Sequence, residues 1–182
     1  HAQFGWGGGM EHTTVSFMNN FDRSLISHEM GHQWFWDTIT CGSWTDIWLN
    51  DGFATYLAAL VIEHFDGNSA FITEKNGMIN YITSQTAGAL YLTDAEATSV
   101  NRIFDGRLSY NKGAMVLNML RFKMGDTMFF QALRNYLADP NLAYKYAVTT
   151  DLKSHLENVY GQSLTEFFND WVYNQGYPTY TI

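Results

Sequence analysis

The stretch SHEMGHQWFWDTITCGSWTDIWLNDGFATYL occupies residues 27–57. It holds two histidines four positions apart, a glutamate directly after the first, and an aspartate separated from the second by eighteen residues. On an α-helix, residues i and i+4 lie one above the other on one face. His28 and His32 can therefore both turn a ring nitrogen toward a single ion. Glu29 sits beside that face and can reach a water held there without itself being a ligand. This is the H-E-x-x-H arrangement, in which Zn2+ lowers the pKa of water and the carboxylate takes its proton. Such a short pattern also arises on solvated helix faces and among satisfied core histidines. A catalytic zinc needs three protein ligands and one open position. Asp51 is the candidate third ligand, because the helix around it is apolar along most of its length and a carboxylate there needs a reason. The competing reading is an exposed acid near a helix start, favoured by the helix dipole.

Outward from this stretch the chain reads as mainly α with a small β portion. TTVSFM (13–18) has strand character within a Gly- and aromatic-rich opening. The apolar spacing predicts helices over about 24–37, 46–65 with Asp46 as N-cap, 69–86, 109–125, 126–138, 150–160 and 164–175. The last of these starts with a capping-box pattern, Ser163 and Glu166. Residues 87–108 read as irregular. Both prolines, Pro140 and Pro178, fall in connections. The whole is one domain of 182 residues, with a β/loop segment over 1–23 and a helical metal-binding region over 24–176.

Composition narrows the function classes. A net charge of −8 argues against sequence-independent nucleic-acid binding, which needs clustered Lys and Arg to displace counterions. No stretch approaches the roughly 18 apolar residues of a membrane span. Cys41 is the only cysteine, so no internal disulfide forms, and it reads as a small buried residue. The charged fraction of 15% is low beside 46% hydrophobic residues, which implies surface covered by a partner or neighbouring domains. The chain opens on His1 with no signal-peptide pattern, and reads as a processed chain or an excised piece.

Four ordered motifs, GGMEH, HEMGHQW, WLNDGFA and SYNKGA, together with the closing DWVYNQGYPTY (170–180), resemble the gluzincin zinc aminopeptidases. That family includes the alanyl and leucyl aminopeptidases and the leukotriene hydrolase. The resemblance covers nearly the whole chain and implies the helical part of a thermolysin-like (zincin) catalytic domain. It implies zinc on His28, His32 and Asp51, Glu29 as general base, and Tyr110 as the phenol that holds the oxyanion. Glu11 would bind the substrate's free α-ammonium, with Gly8, Gly9 and Met10 along the substrate backbone. The implied partners are a peptide with a free N-terminus and the N- and C-terminal domains that this chain lacks.

Two positions depart from the family pattern. Asp51 stands where the family has Glu, and His12 where it usually has Asn. Losing a methylene withdraws the carboxylate by about 1.5 Å, whereas ligand distances are held to about ±0.2 Å. A shift of the second helix by one residue's rise, also ~1.5 Å, restores contact. His12 is read as a neighbour of the site and not as a ligand. Thr55, one turn after Asp51, is expected to steady its carboxylate. His64 and His155 read as structural, and residues 115, 119, 122 and 124 as core. The rival functions are a non-catalytic metal- or peptide-binding module of the same fold, and a zinc endopeptidase.

Overall fold

The computed structural model describes residues 1–178; Thr179 and Tyr180 of the closing family-like stretch lie outside the described residues. Three two-residue strands open the chain: β1 (Ala2–Gln3), β2 (Gly9–Met10) and β3 (Phe17–Met18). β3 lies in the middle, parallel to β1 and antiparallel to β2. Among the described residues, one edge of β2 is therefore left unpaired by strands. The metal motif follows on α1 (Arg23–Gly31), and β4 (Ile39–Cys41) leads to α2 (Trp48–Asp66). After it come α3 (Asn68–Ile82), α4 (Val100–Ile103), α5 (Gly113–Met124) and α6 (Asp126–Ala138). β5 (Lys145–Ala147), α7 (Thr149–Tyr160) and α8 (Thr165–Phe168) complete the order.

α2 is the central element. Every residue from Thr45 to Ala54 is buried, so the helix start is enclosed on all sides. Its Trp48, Phe53 and Tyr56 pack with Leu117 and Leu120 of α5, Phe129 and Tyr136 of α6, and Leu152 and Leu156 of α7. Phe53 stacks on Phe35 with ring centroids 3.8 Å apart. Each such side chain withdrawn from water stabilises the fold by about 1.5–3 kcal/mol. A helix apolar all round belongs in a core, which is why an acid on it matters.

Several expected boundaries moved, each for a local reason. The first helix stops at Gly31 and not near Asp37. Beyond it Asp37 N–H bonds the His32 carbonyl and Ile39 N–H that of Trp34, five residues back, which unwinds the chain toward β4. β4 then pairs in parallel with β5, a contact between three-residue segments about a hundred positions apart. Residues expected as one helix over 109–125 divide into a wide π-type turn, Gly106–Lys112, and α5. The expected 164–175 helix divides likewise into α8 and a π-type turn, Asn169–Tyr173. Its capping box does not form. Ser163 Oγ accepts from Thr165 N–H, and Glu157 of α7 takes Leu164 N–H at 2.6 Å. Among the expected core positions Met124 is buried and Met115 and Met119 pack against the core, but Phe122 is 91% exposed.

Asp46 does not cap α2. It lies in a 3-10 turn, and its Oδ1 accepts from both Thr149 N–H (2.7 Å) and Thr149 Oγ1–H (2.6 Å). Trp48 Nε1–H donates to the same hydroxyl oxygen at 3.0 Å. This buried three-residue tie fixes the start of α2 to the start of α7, and so fixes the turn that carries Asp51. Thr149→Val keeps the shape but orphans the indole N–H and removes one of the three hydrogen bonds that the Asp46 carboxylate accepts. We expect it to lower unfolding free energy by about 1–3 kcal/mol, read by urea denaturation; a loss below about 0.5 kcal/mol would contradict the tie.

Candidate metal centre

His28 of α1 and His32, the residue that caps its C-terminus, bring their Nε2 atoms to 3.3 Å from each other. Asp51, from the first turn of α2, places Oδ1 4.0 Å from His28 Nε2 and 3.8 Å from His32 Nε2. Metal bonds of 2.0–2.1 Å in tetrahedral array give ligand-to-ligand edges of about 3.3 Å. The imidazole pair matches that edge. The carboxylate edges exceed it by well under an ångström, much less than the methylene that Asp51 lacks relative to Glu. These three residues thus present ligand atoms all within 4.8 Å of one another.

The far nitrogen of each ring faces an oxygen. His32 Nδ1 faces the Phe35 carbonyl at 3.4 Å, and His28 Nδ1 faces the Thr55 hydroxyl at 3.5 Å. A proton held on each Nδ1 leaves both Nε2 lone pairs free. Thr55 donates its own hydrogen to the Asp51 backbone carbonyl at 2.7 Å. It therefore orients His28 and not the Asp51 carboxylate, which corrects the expectation for this residue.

Glu29 and Glu11 stand beside His32, and these three also bring ligand atoms within 4.8 Å of one another. Glu29 Oε2 is buried with no hydrogen-bond partner among the described residues. β2 crosses directly above it: a methyl at Gly9 would collide with the Glu29 carboxylate. Gly9 is thus needed for space, while Gly8, at φ +80°, is needed for backbone conformation. Tyr110, carried by the π-type turn, lies parallel to the His28 ring at 5.7 Å. The Asp105 carboxylate caps that turn by accepting from Arg107 and Leu108 N–H. Behind it Gly113 meets Gly52 of α2, where an added Cβ would sit 2.8 Å from the Gly52 Cα. That contact between glycine backbones holds Tyr110 against Asp51.

Burial leaves these groups short of a counter-charge. It pushes the Glu29 carboxyl up to about 8, assisted by the negative charges of Glu11 and Asp51. It pushes Asp51 up to about 7, with Glu11 adding to the effect and the Tyr110 phenol opposing it. Glu11 is also raised, chiefly by burial. Burial lowers His28 to about 3 and His32 to about 4. Neutral imidazoles with free lone pairs, beside carboxylates that need a positive neighbour, are the donor set a divalent cation takes. Two imidazoles and one carboxylate match the catalytic zinc pattern; the Glu11–Glu29–His32 group shares His32 and offers two carboxylates instead.

All nine residues singled out from the sequence gather here. Gly8, Gly9, Met10, Glu11, His28, Glu29, His32, Asp51 and Tyr110 line one cavity of about 630 Å³. His12 stays outside it, exposed and edge-on to Phe17. Cys41 is buried beside Asn50 and its thiol is pushed up to about 12 by burial, in keeping with a packing role. Sequence reasoning missed Leu25, Trp36, Trp44 and Phe104, which complete the cavity wall. Trp36 was within reach, since it follows His32 by one more step of four; Trp44 and Phe104 carried no periodic signal.

Comparison with known proteins gives the family and the fold. Aminopeptidase M1-C of rice (Oryza sativa subsp. japonica) is 33% identical over 180 residues, covering 93% of this chain and 19% of that protein. Probable aminopeptidase 2 of Sulfurisphaera tokodaii is 34% identical over 168 residues, covering 85% and 20%. The chain therefore spans about a fifth of the length of these curated relatives. A variant of the M1 zinc metallopeptidase of Deinococcus radiodurans, bound to a Tyr-Ser-Ala substrate, superposes with a TM-score of 0.84 at 25% identity, over 98% of this chain and 40% of that one. Leukotriene A4 hydrolase of Saccharomyces cerevisiae shares the fold, with a TM-score of 0.78 at 23% identity over 96% of this chain and 31% of that one. A model of the peptidase family M1 domain matches residues 10–171, a span that takes in Glu11, the H-E-x-x-H helix, Asp51 and Tyr110, and the chain belongs to that family.

Proposed function

We propose that this chain is the metal-bearing catalytic portion of a zinc aminopeptidase, which removes the first residue from peptides. His28, His32 and Asp51 would hold the zinc. When bound, zinc polarises the scissile carbonyl and makes water acidic enough to attack at neutral pH. The observation that carries the choice of an aminopeptidase is Glu11. It is a buried acid next to Glu29 and His32, at the end of β2, with its proton affinity raised by burial. A substrate ammonium supplies the missing counter-charge, and the ion pair sets the first peptide bond beside the metal ligands. The open edge of β2 offers backbone groups to an extended peptide.

The other residues follow from what each atom can do. Glu29, whose Oε2 has no partner, takes a proton from the attacking water and delivers it to the leaving amine as the C–N bond breaks. The Tyr110 phenol, raised by burial and by the Asp51 charge, stays protonated and donates to the oxygen that gains charge at the carbonyl carbon. Trp36, Trp44 and Phe104 line the cavity and limit water around these groups. Since the chain spans about a fifth of its relatives, the neighbouring parts of a longer enzyme would complete the substrate walls.

Two results test this. Glu29→Gln should lower kcat by about 100- to 10,000-fold while zinc content stays at that of the unaltered protein; retention of more than a tenth of the activity would contradict the general-base role. An aminoacyl anilide should be cleaved at least about a hundredfold faster than its N-acetyl form, and Glu11→Gln should erase most of that ratio. Equal cleavage of both forms would favour an endopeptidase. Zinc binding with no cleavage of either by the intact protein would favour a binding module.

A further inference from the structure

Gly31 closes α1, three residues past His28 and directly before His32. Its φ is not positive, so backbone conformation does not call for glycine, and glycine is a weaker helix former than alanine. What the position requires is room. A methyl at Gly31 would stand 3.1 Å from Ala54 Cα, 3.2 Å from Leu57 Cδ1 and 3.5 Å from Ala54 Cβ. Ala54 lies three residues past Asp51 and is fully buried. The two helices thus meet, backbone against methyl, next to His32 on one side and three residues from Asp51 on the other.

α2 has little freedom to retreat from this contact. At its start Gly52 abuts Gly113, and a Cβ on Gly52 would lie 3.0 Å from the Gly113 Cα. The helix is seated between two glycine contacts that involve different helices. An aspartate also delivers its carboxylate about 1.5 Å nearer its own backbone than a glutamate does. Bringing it within 4.0 Å of both imidazoles therefore demands closely spaced helices.

We propose that Gly31 is a positioning residue for the metal. Its missing side chain lets α1 and α2 approach far enough for the shorter Asp51 arm to serve as third ligand. This rests on the ligand assignment proposed above. Adding a methyl would force the helices apart by a few tenths of an ångström, and ligand distances tolerate only about ±0.2 Å. One methyl on the helix interface and one methylene on the ligand are thus paired, and changing either alone spoils the fit.

A double-mutant cycle in zinc affinity, read by chelator competition on the intact protein, tests the pairing. The d–d spectrum of bound Co2+ serves as a second readout. Gly31→Ala is expected to weaken zinc binding at least tenfold, and Asp51→Glu alone to weaken it as well. The double variant is expected to bind at least tenfold more tightly than the product of the two single effects, with a Co2+ spectrum close to that of the unaltered protein. Overpacking that merely destabilises the fold would not be relieved by a longer carboxylate, so a multiplicative outcome overturns the inference. So does unchanged affinity in Gly31→Ala. Ala54→Ser adds bulk to the same contact from the facing helix; it should reproduce the loss and the rescue if Gly31→Ala fails to fold. Refusal of zinc by the unaltered protein would instead overturn the ligand assignment, and this inference with it.

Discussion

The separation of α1 and α2 governs what this chain can do. Two imidazoles leave one helix and a carboxylate leaves the other, so the interaxial distance sets whether their lone pairs converge. Gly31 against Ala54 on one side and Gly52 against Gly113 on the other fix that distance. They convert a packing tolerance of tenths of an ångström into the geometry of the donor set. Neither contact is made by a polar side chain, yet the electrostatics of the site follow from them. The same close approach that aligns the ligands also strips them of water and presses acids on one another.

That crowding is the second theme. Glu29, Asp51 and Glu11 share one buried space, and each is held toward its neutral form. Isolated, the arrangement opposes folding, since buried acids without counter-charge cost free energy. It makes sense in the presence of cations. On the function proposed above, a metal would satisfy Asp51 and the imidazoles, and a substrate ammonium would satisfy Glu11. Glu29 shares this space, and its unpartnered Oε2 would be free for the proposed proton transfer. The surrounding fold serves this arrangement through the Asp46–Thr149–Trp48 tie, which pins the start of α2, and the capped π-type turn, which carries Tyr110.

Some of this was legible in the sequence and some was not. The shared face of His28 and His32 follows from helical spacing alone, and the length of α2 from its apolar run. Gathering Glu11 and Tyr110 with them rested on resemblance, because nothing in spacing relates positions 11, 29 and 110. The end of α1 at Gly31 was hidden, since residues 32–37 contain no breaker and the unwinding comes from hydrogen bonds five residues back. The β4–β5 pair and the Asp46–Thr149 tie join segments about a hundred residues apart, where local pattern carries no information. Thr55 was placed on the right turn but assigned the wrong partner: its hydroxyl meets a backbone carbonyl and a His28 nitrogen.

The most direct test of the central claim is diffraction from zinc-loaded crystals of the intact protein, collected on both sides of the zinc absorption edge. The account predicts one anomalous peak in this cavity, about 2.0–2.2 Å from His28 Nε2, His32 Nε2 and an Asp51 oxygen. It would be contradicted by the absence of a peak. It would equally be contradicted by a peak whose carboxylate ligand is Glu11 or Glu29, or by one separated from Asp51 by a water.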